Sequence, residues 1–165
     1  MIKKPEISAI ELAYLAGIID GEGHIGIAGS KKPSNRIDWV LRLSISNTSE
    51  ELMDWLDETF GHIVTTKYKR LHRRAHVMVW RTSGRQTQEI LRLVLPYLRI
   101  KREQAELALS MNIGPYGGGC RWSITNEERD SRIEIYRQMR ELNSKDGSKG
   151  QYERLTSIAE EVAYS

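Results

Sequence analysis

The sequence predicts an α+β domain, and three observations predict it: a capped helix rich in small residues, a long alternating strand after it, and a basic hairpin beyond a second helix. Ser8 with Glu11 three residues on reads as a capping box. It opens a first helix through Leu12, Leu15, Ala16 and Ile19 toward Asp20, ended by Gly21 and Gly23. His24 to Ala28 reads as a strand, 29–35 (GSKKPSN) as a turn, and Arg36 to Asn47 as a long second strand. In that strand Ile37, Trp39, Leu41, Leu43 and Ile45 form one face. Arg36, Asp38, Arg42, Ser44 and Ser46 form the other, with Val40 the exception.

Ser49 to Phe60 follows as a helix with Leu52, Trp55 and Leu56 inward, closed by Gly61. Ile63 to Arg70 and His76 to Arg81 read as hairpin strands that complete a four-stranded sheet, with Val77 and Val79 pointing to the core. Ser83 and Gln86 suggest a capping box for a helix through Ile90, Leu91, Val94 and Leu95 that breaks near Pro96. A further helix begins near Arg102, and 114–119 (GPYGGG) is a turn or linker. Thr125 with Glu128 opens a polar helix to about Leu142, 144–150 is a loop, and a short amphipathic helix runs from Tyr152 to about Ala163. The expected division is a core over 1–113 and a helical extension over 114–165 packed on the same domain.

The 165 residues, 39% hydrophobic and 28% charged, have the composition of one ordinary globular domain. The single cysteine, Cys120, excludes an internal disulfide and fits a reducing intracellular compartment, cytoplasm or organelle matrix. The start MIKKPEIS has no apolar signal core and no stretch is long enough to span a membrane, so no membrane partner is expected. Trp39, Trp55, Trp80 and Trp122 are expected to pack in the core. The net charge of +3 hides an uneven distribution. Gly61 to Arg85 holds seven basic residues (Lys67, Lys69, Arg70, Arg73, Arg74, Arg81, Arg85), three histidines and no acid, which points to a polyanionic partner.

The run LAGIIDGEG, Leu15 to Gly23, carries the chemistry. Ala13, Gly17 and Gly21 recur every fourth residue and form a nearly side-chain-free helix face, on which two backbones can approach closely. Asp20 and Glu22 sit at the C-terminal end, where the helix dipole is already negative. Doubling them across a two-fold axis would repel unless a divalent cation lay between them. Hard oxygen ligands suit Mg²⁺ better than Zn²⁺.

This string resembles the signature of the LAGLIDADG homing endonucleases, with Ile18, Gly21 and Glu22 where the name motif has leucine, alanine and aspartate. PYLRIKREQ, 96–104, resembles another landmark of that family. The resemblance implies an αββαββα fold with a saddle-shaped antiparallel sheet, followed here by additional C-terminal helices. It implies a site-specific endonuclease that makes metal-dependent double-strand breaks with short 3′ overhangs in a long, pseudo-palindromic DNA. The cofactor implied is Mg²⁺, with Mn²⁺ or Ca²⁺ able to replace it for binding. One motif per chain implies a homodimer joined through Ala13, Gly17 and Gly21. Glu22 would be the direct metal ligand with the Gly21 carbonyl beside it, and Asp20 would brace the helix ends or add a second acid. Lys101 matches the family's active-site lysine and would stabilise charge on the phosphate, while Asn47 is similar to its water-organising polar residue. An additional basic residue common just downstream is not evident, since Ser49, Glu50 and Glu51 occupy that region.

A two-stranded ribbon in the major groove sets every second residue against successive base pairs. On that basis His24, Ala28, Ser30, Lys32, Asp38, Val40, Arg42, Ser44, Thr66, Tyr68, Arg70, His76 and Met78 are expected on the DNA face. Arg42 is the chosen base reader, with a phosphate contact as its alternative. Lys31, Lys67, Lys69, Arg73 and Arg74 are assigned to the backbone. Two other classes stay open: an intron maturase binding structured RNA, with Arg121, Arg129, Arg132, Arg137 and Arg140 as its candidate surface, and a DNA-binding regulator without cleavage. Retained Glu22 and Lys101 argue against the second.

Overall fold

A computed structural model describes residues 7–31, 37–61, 66–69, 76–113 and 125–144. The described elements are α1 (Ala9–Glu22), β1 (Gly23–Lys31), β2 (Ile37–Asn47), α2 (Glu50–Phe60), β3 (Thr66–Lys69), β4 (His76–Ser83), α3 (Gly84–Val94), α4 (Arg102–Ser110) and α5 (Asn126–Asn143). The fold is α+β. Four strands pair antiparallel in the order β1-β2-β4-β3, so the two central strands are β2 and β4.

Local chemistry accounts for most boundaries. The Ser8–Glu11 capping box closes both ways: the Ser8 hydroxyl accepts from the Glu11 N–H at 3.2 Å and the Glu11 carboxylate accepts from the Ser8 N–H at 2.8 Å. Ser49 caps α2 and Gly61 ends it at φ 93°, while Thr125 with Glu128 forms the second capping box, at the start of α5. The box expected from Ser83 and Gln86 does not form. Ser83 makes no side-chain cap, and the buried polar contact at this junction is Thr82 Oγ1 to Thr87 Oγ1, 2.6 Å. β1 extends to Lys31, past the expected end at Ala28, so the predicted turn begins as strand.

The core lies between one face of the sheet and the helices. Trp39, Leu41, Leu43 and Ile45 are buried on β2, as the alternation predicts. Leu15, Ala16 and Ile19 of α1, Met53, Leu56 and Phe60 of α2, and Leu91 and Val94 of α3 close over them, while Leu52 and Trp55 are only partly buried. On β4 the expected facing is reversed. Met78 (3% exposed) and Trp80 (0%) join the core cluster, whereas Val79, also buried at 3%, stands on the opposite face and outside that cluster. The cause is register: Trp80 pairs with Ile45 and Met78 with Asn47, so the inward set of β2 carries Met78, Trp80 and Thr82 inward with it. Met78 is therefore not on a DNA face.

α5 is more than a polar helix. Ile133, Ile135, Tyr136 and Met139 enter the same core cluster, and Tyr136 packs on Trp39 at a ring separation of 4.4 Å. Its last turn is latched to the sheet, because Asn143 Nδ2 donates to the Ile25 carbonyl at 2.8 Å. The calls on 32–36, 62–65, 70–75, 114–124 and 145–165, among them Lys32, the strand start at Ile63, Arg70, Arg73, Arg74, Cys120 and Trp122, lie outside the described residues.

Candidate active site and nucleic-acid face

α1 passes into β1 without a loop, and this junction sets the site. The Gly23 N–H donates to the carbonyls of Ile18 and Ile19. A Cβ at Gly23 would stand 2.7 Å from the Ile19 backbone, so only glycine lets the strand leave the helix this closely. Glu22 is thereby left exposed at the tip of α1. Asn47, at the end of β2, donates from Nδ2 to Glu22 Oε2 at 2.7 Å. Its Oδ1 accepts from the N–H groups of Thr48 and Ser49 at 2.8 and 2.9 Å. The amide is thus fixed in orientation by the start of α2 and holds one oxygen of the carboxylate.

Asp20 is engaged differently. Its carboxylate accepts from the N–H groups of Arg99 and Lys101, both at 2.9 Å. Partial burial raises its pKa, but the N–H groups of Arg99, Lys101 and Ile100 and the Lys101 charge outweigh that and hold it below the ordinary aspartate value. Lys101 completes the clip: its Nζ donates to the Ile19 and Asp20 carbonyls at 2.8 and 2.6 Å, a cation on the negative end of α1. Glu22, Asn47, Asp20 and Lys101 therefore meet at one helix end, drawn from α1, β2 and the segment before α4. Asp20 is occupied as a brace, and Lys101 spends two donors on the helix it would serve.

Among the described residues no three His, Cys, Asp or Glu side chains converge into a metal cage. What one chain offers is one exposed carboxylate, Glu22, next to the Gly21 carbonyl, while the Ile19 and Asp20 carbonyls of the same turn accept from Lys101. That oxygen donor set fits a hard divalent cation and is too small to hold one alone.

The open face of the sheet lies opposite the core. On β1 it carries His24, Gly26 and Ala28, and on β2 Val40, Arg42, Ser44 and Ser46; the pairs His24 with Ser44, Gly26 with Arg42, and Ala28 with Val40 run across it. The corrected register adds Val77, Val79, Arg81 and Ser83 of β4, with Arg81 beside Ser44 and Ser83 beside Arg42. Thr66 and Tyr68 pair with Val79 and Val77. Lys67 and Lys69 pair with Met78 and His76, and Ser30 and Lys31 with Asp38 and Ile37. Arg81 is exposed there, and sequence reading missed it because the apolar run 77–80 has no alternating contrast from which to choose a face.

His24 bends over its neighbour. A Cβ on Gly26 would meet His24 Nε2 at 2.6 Å, so the imidazole occupies the volume that a side chain at 26 would fill, and Gly26 is buried. This loss of hydration first, and the charges of Lys101 and Arg140 second, hold the His24 pKa below the ordinary imidazole value.

No family model and no curated protein matches the chain. Solved structures do. The homing endonuclease I-CvuI in complex with its target in Ca²⁺ superposes with a TM-score of 0.66 at 20% identity, covering 93% of this chain and 94% of that one. The archaeal intron-encoded homing endonuclease I-Vdi141I complexed with DNA gives 0.71 at 12% identity over 94% and 98%. The group I intron-encoded I-CeuI complexed with DNA gives 0.65 at 14% over 93% and 78%. The chain has the fold of the LAGLIDADG homing endonucleases.

Proposed function

We propose that this protein is a site-specific DNA endonuclease that works as a homodimer and cuts both strands of a long, pseudo-palindromic target with Mg²⁺, leaving short 3′ overhangs. The observation that carries this reading is the exposed Glu22 carboxylate, oriented by Asn47 at the tip of a helix whose outer face is bare. The neighbours of like fold that are complexed with DNA support the choice of substrate.

The bare face argues for the dimer. Ala13, Gly17 and Gly21 are exposed, flanked by Ile10 (82% exposed) and Tyr14 (57%). A Cβ at Gly17 or Gly21 would meet nothing within 4 Å, so the single chain has no use for glycine there. Each glycine inside a helix costs about 1 kcal/mol relative to alanine. A second α1 packed backbone to backbone supplies the missing reason. Ile10 and Tyr14 border a groove of about 430 Å³ against Leu52 and Trp55 of α2, which extends the same apolar surface.

In the dimer two Glu22 carboxylates meet across the axis, and with the Gly21 carbonyls they would hold the divalent cation. A metal bound there supplies an activated water and charge neutralisation at the scissile phosphate. Asp20 accepts two backbone N–H bonds and so keeps the helix tip rigid. Lys101 places positive charge at the same tip, where it stabilises charge developing on the phosphate. Asn47 holds the carboxylate and orients water beside it. The open sheet face lies in the major groove with Arg42 reading a base.

The RNA-binding alternative gains no support from its candidate surface. Arg132 is 6% exposed and donates to the Asn112 carbonyl at 2.8 Å, and Arg137 sits 3.9 Å from Glu134. The deciding experiment is selection of cleaved sites from a random double-stranded DNA library. Wild type should yield a two-fold-related target, which Glu22→Gln still binds and no longer cuts in Mg²⁺; a Glu22→Gln enzyme that cuts at the wild-type rate overturns the assignment.

A further inference from the structure

We propose that Arg81 is a second base-reading residue, acting with Arg42 as a diagonal pair on the two central strands of the sheet. The inference rests on the DNA-cleaving reading above and adds a specificity determinant to it. Arg81 pairs with Ser44 and Arg42 with Ser83, so the two arginines sit on adjacent strands and adjacent rows of the same face, each beside a short hydroxyl side chain, Arg81 exposed and Arg42 half-buried. Among the described residues neither has an ion-pair partner, and the acid on this face of β2, Asp38, stands four residues along the strand from Arg42, on the side away from Arg81.

Sheet dimensions separate base reading from phosphate binding. Strands lie about 4.8 Å apart, and the major groove, about 12 Å wide, admits a two-stranded ribbon. In the order β1-β2-β4-β3 the central ribbon is β2 with β4, whereas the outer strands reach toward the groove walls. Arg42 and Arg81 stand on that ribbon. A guanidinium donating two parallel bonds to guanine is the side chain best suited to such a position.

The rows also fix the order of the two contacts. His24, Ser44 and Arg81 form one row, two residues beyond Glu22, and Gly26, Arg42 and Ser83 form the next. Arg81 is thus nearer the catalytic end. Two residues along a strand span about 6.8 Å, which matches about two base steps of 3.4 Å. Arg81 accordingly reads a guanine about two base pairs closer to the cut than the one read by Arg42.

The test is one random DNA library taken through two selections, for cleavage in Mg²⁺ and for binding in Ca²⁺, with wild type, Arg42→Ala, Arg81→Ala and Arg81→Lys. Wild type should prefer guanine at two positions in each half-site, about two base pairs apart. Arg81→Ala should erase the inner preference alone, a roughly five- to hundredfold loss of discrimination at that position, and Arg42→Ala the outer alone. Arg81→Lys should keep affinity for mixed DNA and still lose the inner preference, because an ammonium cannot form the bidentate pair. An Arg81→Ala profile identical to wild type, or a loss shared by all sequences, overturns the proposal. Selective binding without cleavage by wild type would sink the enzymatic reading, and the binding profiles would still decide Arg81. A wild type that neither binds nor cuts selectively refutes both.

Discussion

Replacing Asn47 with aspartate probes the contact on which the site geometry depends. The change keeps an oxygen where Oδ1 accepts from Thr48 and Ser49. It exchanges the Nδ2 donor, 2.7 Å from Glu22 Oε2, for a second anionic oxygen. Two unit charges at that distance repel by about 1.5 kcal/mol even at the dielectric of water, and the hydrogen bond to the carboxylate is lost as well. Because Glu22 is exposed, the side chains can rotate apart and ions screen them, so a net cost of about 1.5 kcal/mol is expected. For a domain of this size that lowers the melting temperature by about 3–6 °C. Thermal unfolding followed by circular dichroism, in EDTA and in Ca²⁺, measures it. A divalent cation between the carboxylates should relieve the repulsion, so the deficit of Asn47→Asp should shrink in Ca²⁺. Asn47→Ala loses the Nδ2 donor and the Oδ1 acceptor that serves the Thr48 and Ser49 N–H groups, and should show a deficit that Ca²⁺ leaves unchanged. An aspartate variant that melts like wild type in EDTA, or a deficit of equal size with and without Ca²⁺, would refute the reasoning.

Three further outcomes follow from the same structure. Met78→Ala should cost about 2–5 kcal/mol in denaturant unfolding, as for a buried core methionine, while Val77→Ala on the open face should cost under about 1; the reverse ranking would mean the β4 register is wrong. Asp20→Asn should destabilise at neutral pH. Since the folded pKa of Asp20 lies below its unfolded value near 3.8, the wild-type advantage is fully present above that value and lost as pH falls through the folded pKa, so melting curves of the two proteins should converge only in strong acid. Gly17→Leu should give monomeric or unfolded protein by sedimentation and no cleavage, and a fully active, dimeric variant would exclude the α1 seam.

What could be read from the sequence was what local chemistry decides. The Ser8 and Thr125 capping boxes need only two residues three apart, and the β2 alternation carries its own contrast between faces, so both were legible. The β4 facing was not. Residues 77–80 are apolar on both faces, and the choice is made by the pairing of Trp80 with Ile45, a partner 35 residues distant. α5 was legible in extent but not in role. Its many Glu and Arg residues mask an inward stripe of Ile133, Tyr136 and Met139. At the site, the resemblance offered roles for Asp20, Glu22, Asn47 and Lys101, but not the hydrogen bonds by which each engages the end of α1. That Lys101 caps the same helix end Asp20 braces depends on a contact between segments about 80 residues apart.

The imidazole roof over Gly26 bears on how such a protein could change its target. A reading face whose outward positions were independent could be rewritten one residue at a time, each substitution tried and kept separately. Positions 24 and 26 share a single volume, and Gly26 stands directly across from Arg42. A side chain introduced at 26 must evict the His24 ring, and the evicted ring arrives beside Arg42, the residue proposed to read a base. This corner of the surface is thus a joint letter: histidine with glycine is one state, and another state needs both residues replaced together. Directed retargeting that varies 24 and 26 as a linked pair should reach sequences that single-site exchange never samples.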